Sequence, residues 1–130
     1  MMTSKQYLEM ERKKSVTSKY KAIKTVYNGI SYDSKAEAAC AYRLDLLKQE
    51  GTVKEWQRQI TFKLVVNDEL ITSYRLDFLV TYSDDTKEYV DIKGYRKGAA
   101  YQIYTLKRKL MKAVYGIDII EYMEHDKKVA

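Results

Sequence analysis

The feature that most restricts the fold is a pair of polar turns inside one long run of strand-forming residues. Apolar and polar side chains alternate over residues 60–66, as expected for a strand with one buried face. The segments NDE (67–69) and SDD (83–85) then divide the run, so that a second strand covers 70–82 and a third covers 86–93. Strands joined by such short turns pair antiparallel, and the sequence therefore predicts a three-stranded meander.

Two predicted helices flank this meander. The first follows Ser34, a favoured N-cap with an acid three residues later, and ends at Gly51. The second covers 99–115 and ends at Gly116. The residues predicted to pack against the sheet are Ala36, Ala39, Cys40, Leu44 and Leu47 on the first helix and Ala100, Ile103, Leu110 and Val114 on the second.

The order of elements predicts an α/β (α+β) fold. A tight hairpin at Asn28-Gly29 precedes the first helix, and an apolar strand over 117–122 follows the second. The helix crossover to this last strand produces a mixed β-sheet with helices packed against it. A chain of 130 residues fits one core. The predicted parts are an N-terminal basic arm with a short helix (1–22), a core domain (23–122) and a C-terminal tail (123–130).

Histidine and cysteine content excludes several chemistries. The chain has one histidine, His125, and one cysteine, Cys40. A zinc site of Cys and His ligands cannot be built within one chain, nor can an internal disulfide. A Ser-His-Asp triad would have to use a residue five from the C-terminus. Any metal would have to be held by carboxylates, which favours Mg²⁺ or Mn²⁺.

The net charge of +6 is unevenly distributed. Residues 1–24 carry seven Lys and Arg against two acids, residues 93–112 carry seven and no acid, and the remainder has a net charge of −6. A solvated basic face is one interpretation, but two basic segments on an acidic remainder favour a surface that contacts a phosphate backbone. The basic side chains predicted to contact DNA are Lys19, Lys21, Lys24, Arg96, Lys97, Lys107 and Arg108.

Charged side chains interrupt the second and third strands of the meander. Asp77 lies in YRLDFLV, and Asp91 and Lys93 lie in VDIKG. A two-residue turn at 84–85 would place the two acids on opposite faces of the sheet, whereas a three-residue loop at 83–85 would pair them directly. Because a buried charge is costly unless it is paired or used, we expect an odd-numbered loop or a bulge here.

An acid in one strand, acid-x-Lys in the next and a Glu in a preceding helix resemble the PD-(D/E)XK nuclease superfamily, whose fold is restriction-endonuclease-like. The segments YNGISYDSKAEAACAYRL, YRLDFLV, VDIKG and YTLKRKLMKAVYGIDIIEY are similar to a phage-encoded branch of Holliday-junction-resolvase-like or recombination nucleases. The resemblance covers residues 19–122. Leu76 stands where the name-giving proline would be, and Asp91 where many relatives have Glu; neither change removes a metal ligand.

This resemblance implies an Mg²⁺- or Mn²⁺-dependent endodeoxyribonuclease. Asp77, Asp91 and the backbone carbonyl of Ile92 would hold the ion. Lys93 would orient and acidify the attacking water or stabilise charge in the transition state. Glu37 would complete the site through water or a second ion. The resemblance also implies a homodimer acting on branched or duplex DNA, with no nucleotide cofactor.

Simpler interpretations exist for each residue of this set. Asp91 and Lys93 would form an ordinary ion pair if they lay on a solvated strand face. Glu37 completes a capping box with Ser34, so its carboxylate could return to the Ser34 amide. Lys107 either contacts the scissile or adjacent phosphate or extends from the edge of its helix to solvent.

Alternatives also remain for the function. The chain could be a repair or restriction-type nuclease for linear or single-stranded DNA, or a DNA-binding module whose catalytic site has decayed. No apolar run is long enough to cross a membrane, and no signal peptide is recognisable. We therefore expect a cytoplasmic protein without a membrane partner, in the host cytoplasm if it is phage-encoded.

Overall fold

The computed structural model describes residues 24–93 and 97–123. The predicted arm at 1–22, loop residues 94–96 and the end of the tail from 124 lie outside the described residues. The elements are β1 (Thr25–Tyr27), β2 (Ile30–Tyr32), α1 (Lys35–Glu50), β3 (Val53–Val66), β4 (Glu69–Tyr82), β5 (Lys87–Lys93), α2 (Gly98–Tyr115) and β6 (Ile119–Met123).

The main sheet is mixed, as predicted. Its four strands lie in the order β3-β4-β5-β6, with antiparallel pairing from β3 to β5 and parallel pairing of β6 with β5. β1 and β2 form a separate two-stranded hairpin. Both helices pack against the main sheet, so the fold is α+β. No helix among the described residues is long and apolar enough to span a membrane.

The β4–β5 loop has the odd length that the two acids require. Phe78 pairs with Val90, and the backbone N–H of Tyr82 donates to the carbonyl of Thr86 at 2.8 Å. Three residues remain in the loop, and Asp85 at its end adopts a left-handed φ of 72°. The odd loop length is the one that the sequence predicted, and one residue beyond Phe78 and Val90 the same register would set Asp77 opposite Asp91.

The β3–β4 connection is shorter than predicted. Asn67 and Asp68 both adopt left-handed backbone conformations, with φ of 50° and 65°, and Val66 pairs directly with Glu69. Two consecutive left-handed residues are typical of the type I′ turn, which suits the twist of a hairpin. Glu69 therefore begins β4 instead of belonging to the turn.

Helix α1 begins and ends at the predicted residues. The Ser34 hydroxyl accepts from the backbone N–H of Glu37 at 3.0 Å, and Gly51 ends the helix with a left-handed φ of 87°. The buried face consists of Ala38, Cys40, Ala41 and Leu44. The prediction for Ala39 was wrong, because the helix contacts the sheet through the small side chains on either side of it and leaves Ala39 exposed.

Helix α2 ends at Gly116 as predicted, but its buried face is rotated. Tyr104 and Met111 are its buried residues, with Leu110 and Val114 partly buried beside them. Ala100 is exposed and Ile103 is 56% exposed, so the predictions for both were wrong. The longer side chains of Tyr104 and Met111 reach the sheet and turn the predicted stripe towards solvent.

The core consists of two clusters, one under each helix. The α1 cluster contains Phe78, Val80, Val90 and Ile92 from the central strands. The α2 cluster contains Leu64, Tyr74, Leu76 and Ile119. Strand β4 contributes to both, and the change from one cluster to the other falls between Leu76 and Phe78. Asp77 lies at this junction.

Candidate active site

The pairing of β4 with β5 ends just before the two acids. Main-chain bonds alternate along an antiparallel pair, so the bonded pair after Phe78–Val90 would be Leu76–Ile92. The backbone N–H of Ile92 instead donates to Oδ2 of Asp77 at 2.8 Å. The Asp77 carboxylate thus takes the role of a main-chain acceptor, which fixes its position beside β5.

Asp91 and Lys93 contact each other on β5. Lys93 Nζ lies 2.7 Å from Asp91 Oδ2, and the Asp91 side chain is only 4% exposed. The contact lacks hydrogen-bond geometry, so Asp91 Oδ2 has no hydrogen bond within the described residues. Lys93 Nζ also lies 3.7 Å from the ring centroid of Tyr104. This pair is therefore not the solvated strand-face pair of the simpler interpretation.

One cleft of about 380 Å³ is lined by the predicted site residues. It is bounded by the start of α1, by β4 and β5, and by the first three turns of α2. The predicted residues that line it are Glu37, Asp77, Asp91, Ile92, Lys93 and Lys107. These residues come from four elements, so the fold brings together groups that are far apart in the chain.

Two of the acids in this cleft have strongly raised pKa values. Burial, with the charges of Asp33 and Asp91, raises the pKa of Glu37 to about 7. Burial, with the charges of Asp91 and Glu37, raises the pKa of Asp77 to about 8, although the Ile92 N–H opposes the shift. The carboxyls thus repel one another, and a cation between them would relieve this repulsion.

The donors fit a hard divalent cation. Asp91 Oδ2 is a buried oxygen without a hydrogen bond in the part of the chain described, and Asp77 lies close enough for the Asp91 charge to raise its pKa. Over residues 24–93 and 97–123, no three acidic, histidine or cysteine side chains are close enough to hold one ion. Mg²⁺, however, is usually bound through one or two carboxylates and keeps several waters. Two carboxylates with the carbonyl of Ile92 satisfy that requirement.

Glu37 is available to this site in spite of its place in the helix cap. Its backbone N–H makes the bond to the Ser34 hydroxyl. Between the described residues, its carboxylate returns no bond to the Ser34 amide and lines the cleft instead. The capping interaction therefore orients the first turn of α1 and directs the Glu37 side chain towards Asp77.

The predicted DNA-binding residues lie in different places. Lys107 lines the cleft, whereas Lys24 and Lys97 are exposed outside it. Arg108 lies 3.3 Å from a Glu121 carboxylate oxygen and does not line the cleft. Three predicted residues lie outside the described ranges: Lys19, Lys21 and Arg96.

Six lining residues were not predicted as part of the site: Asp33, Tyr74, Arg75, Ala100, Ile103 and Tyr104. Arg75 precedes Asp77 by two residues, so strand alternation could have placed both on one side of β4. Tyr104 precedes Lys107 by three residues, so helical spacing could have placed the two side by side. Asp33 and Tyr74 have no comparable signal, because their positions depend on how α1 and the hairpin pack.

Comparison with known families gives one match. Residues 17–125 match a family described as protein of unknown function (DUF1064). Because the match spans most of the chain, the protein belongs to this family. No curated protein and no solved structure matches the sequence.

Proposed function

We propose that this member of the DUF1064 family is an Mg²⁺- or Mn²⁺-dependent endodeoxyribonuclease with a restriction-endonuclease-like, PD-(D/E)XK architecture. The observation that supports it is the convergence of Asp77, Asp91 and Lys93 with Glu37 in one cleft. Chance D…DxK patterns are common in sequences. A chance pattern, however, would not be expected to lie after a three-residue loop whose register brings the two acids together. Nor would it be expected to give two carboxyls, Glu37 and Asp77, raised pKa values.

Asp77, Asp91 and the Ile92 carbonyl would hold the divalent cation. When bound, the ion supplies positive charge that lowers the pKa of water and polarises a phosphate oxygen. The Ile92 N–H positions the Asp77 carboxylate for this task through its 2.8 Å bond. The raised pKa of Asp77 means that this carboxyl releases a proton when a cation binds.

Lys93 contributes the positive charge nearest to the acids. Its ammonium, 24% exposed, faces the cleft between Asp91 and Tyr104. From there it donates hydrogen bonds to the attacking water or to the phosphate oxygen on which negative charge develops during hydrolysis. Removal of one such donor from a buried site typically lowers the rate by about 10² to 10³.

Glu37 and Lys107 complete the cleft from the two helices. Glu37 approaches from the first turn of α1 and accepts a hydrogen bond from a water or holds a second cation. Lys107 approaches from α2, whose polar face is basic, and contacts the scissile or adjacent phosphate. The products would carry 5′-phosphate and 3′-hydroxyl ends.

Branched DNA is the proposed substrate, with a homodimer cutting two strands symmetrically in the cytoplasm. Nuclease action on linear or single-stranded DNA uses the same chemistry and is the second candidate. The intact set of Asp77, Asp91 and Lys93 argues against a decayed DNA-binding module, because such a module gains nothing from keeping costly buried acids.

The test is cleavage of a four-way junction and a sequence-matched linear duplex in Mg²⁺, in Mn²⁺ and in EDTA. We expect cleavage of the junction with either cation and none in EDTA. Failure to cut both substrates with both cations would remove the enzyme proposal. Equal cutting of both substrates would remove only the preference for branched DNA.

A further inference from the structure

We propose that Tyr104 is a positioning residue for Lys93, which it holds by a cation–π interaction with the face of its ring. This inference rests on the proposed nuclease function and adds a residue to it. Lys93 Nζ lies 3.7 Å from the ring centroid, well inside the roughly 6 Å range of such contacts. The same nitrogen lies 2.7 Å from Asp91 Oδ2.

Lys93 contacts the ring of Tyr104 and not its hydroxyl. Tyr104 is 6% exposed, and its hydroxyl lies near the Glu121 carboxylate but makes no hydrogen bond of normal geometry within the described ranges. Buried phenols normally have a partner, as Tyr101 has in Glu121. Burial and the Asp91 charge raise the pKa of Tyr104, so the ring is neutral at physiological pH. The attraction for Lys93 therefore comes from the π face.

The ring is itself held firmly. Its centroid lies 6.2 Å from that of Tyr74 on β4 and 5.6 Å from that of Tyr101 on α2, both in tilted arrangements. Tyr104 also belongs to the core cluster under α2. The core fixes one side of the ring, and the ammonium contacts the other. The position of α2 therefore determines where Lys93 is held.

Lys93 needs such a support because of its side chain. A lysine ammonium is a point charge at the end of a flexible four-carbon stem. Asp91 alone attracts it towards the carboxylate, but the ring supplies a second attraction from another direction. The ring has no lone pair directed at the ammonium, so the ammonium can still donate to a water or a phosphate oxygen.

The test is a series of ring substitutions at one position. Tyr104→Phe keeps the π face, and replacement of Tyr104 by difluoro- and trifluorophenylalanine withdraws electron density from it with little change in volume. We expect Tyr104→Phe to cut within about threefold of the wild-type rate. The trifluoro variant should lose about tenfold in single-turnover rate, within the range for a desolvated cation–π contact. Thermal stability and Kd for uncut DNA in Ca²⁺ should not change along the series.

Two controls separate positioning from packing. The same three substitutions are made at Tyr101, which lies beside Tyr104 in the core cluster. There the cleavage rate should not change between the Phe variant and the trifluorophenylalanine variant. A second readout needs no cleavage: ring current should move the Lys93 Hε resonances upfield in wild type and Tyr104→Phe. That shift should disappear in Tyr104→Leu, and Lys93→Arg assigns the resonance.

The outcomes are distinguishable. A wild-type chain that cuts no DNA in Mg²⁺ or Mn²⁺ overturns the proposed function and the catalytic use of Tyr104 with it. A wild-type chain that cuts, with rates independent of fluorination, overturns only the positioning role. Absence of the ring-current shift overturns the contact, and rates that fall in parallel with stability show that the residue acts by packing alone.

Discussion

Two groups of carboxylates in this molecule show how differently a fold can treat an acid. Asp45 on α1 accepts from the Tyr27 hydroxyl at 2.5 Å and from Trp56 Nε1 at 2.9 Å. Asp77 accepts from one backbone N–H, that of Ile92, and Asp91 contacts one ammonium, that of Lys93. Asp45 thus joins β1 and β3 to α1 through two side-chain donors, whereas Asp77 has a single backbone donor and Asp91 Oδ2 has no hydrogen bond within the described residues.

The difference indicates which group is functional. The Asp45 carboxylate accepts hydrogen bonds from two neutral donors, Tyr27 and Trp56. The bond to Asp45 is the largest cause that raises the pKa of Tyr27 to about 12. In the cleft, burial and neighbouring carboxylates raise the pKa values of Glu37 and Asp77 instead, which is unfavourable for folding. Acids that oppose stability in a cleft are expected where a ligand makes use of them, and in the proposed function that ligand is a cation.

The largest predicted effect distinguishes two Lys–Asp pairs. Lys93→Met should lower the single-turnover cleavage rate by about 10³, because it removes the ammonium that contacts the buried Asp91. Lys54→Met is the matched control, since Lys54 lies 2.9 Å from Asp85 but both side chains are more than half exposed. It should change neither rate nor stability measurably. Equal loss in both variants would contradict the assignment.

Glu37→Gln should lower the rate by about 10- to 100-fold, since it removes a charge from the cleft and keeps the side-chain length. Ser34→Ala removes the helix cap and should cost about 1 kcal/mol of unfolding free energy while cleavage continues. Single-turnover rates and urea unfolding separate the two roles. Unchanged cleavage in Glu37→Gln would show that Glu37 has no role in cleavage and only belongs to the helix cap.

Removal of the cleft lysine of α2 should have a smaller effect. Lys107→Ala should weaken DNA binding several-fold and reduce the dependence of log K on log salt by about one unit. Lys109→Ala, an exposed position on the same helix that does not line the cleft, serves as the control. Binding of uncut DNA in Ca²⁺ at several salt concentrations measures both. Equal slopes would place the phosphate contact elsewhere.

The smallest effect concerns stability and pH. The pKa of Asp77 rises from 3.8 to about 8 on folding, so the folded chain holds more protons than the unfolded chain between these values. Unfolding free energy should therefore fall as pH rises through this window without divalent cations. Asp77→Asn keeps an acceptor for Ile92 and removes the charge, so its advantage over wild type should grow by about 2 kcal/mol from pH 5 to pH 8.

Thermal and urea unfolding in EDTA test this pH dependence. Asp68→Asn, in the exposed β3–β4 turn, controls for the loss of one negative charge. Parallel pH profiles for wild type and Asp77→Asn would show that Asp77 is not held in an unfavourable environment. Addition of Mg²⁺ at pH 8 should restore stability to wild type more than to Asp77→Asn.

Local signals explain why much of the fold could be predicted. Ser34 and Gly51 determine the ends of α1 through backbone chemistry that depends on few neighbours. The meander follows from alternation and short turns, and the register that brings Asp77 near Asp91 follows from the loop length. These features are encoded within a few residues, so the sequence alone was sufficient for them.

Packing explains what could not be predicted. Ala39 and Ile103 lie on helical stripes that look apolar, but the rotation of each helix depends on the side chains of the sheet beneath it. Tyr104 reaches the cleft because α2 lies on the cluster that contains Tyr74 and Leu76. The residues of the site that belong to motifs were therefore predicted, whereas those supplied by tertiary contact were not.

The most direct test of the central claim is single-turnover cleavage of a four-way junction in Mg²⁺ by two Asp→Asn variants. Asp91→Asn should abolish cutting, with uncut DNA still bound, because most of the affinity comes from phosphate contacts outside the site. Asp45→Asn should cut within a few-fold of wild type. Continued cleavage by Asp91→Asn, or equal loss in both variants while both remain folded, would contradict the account.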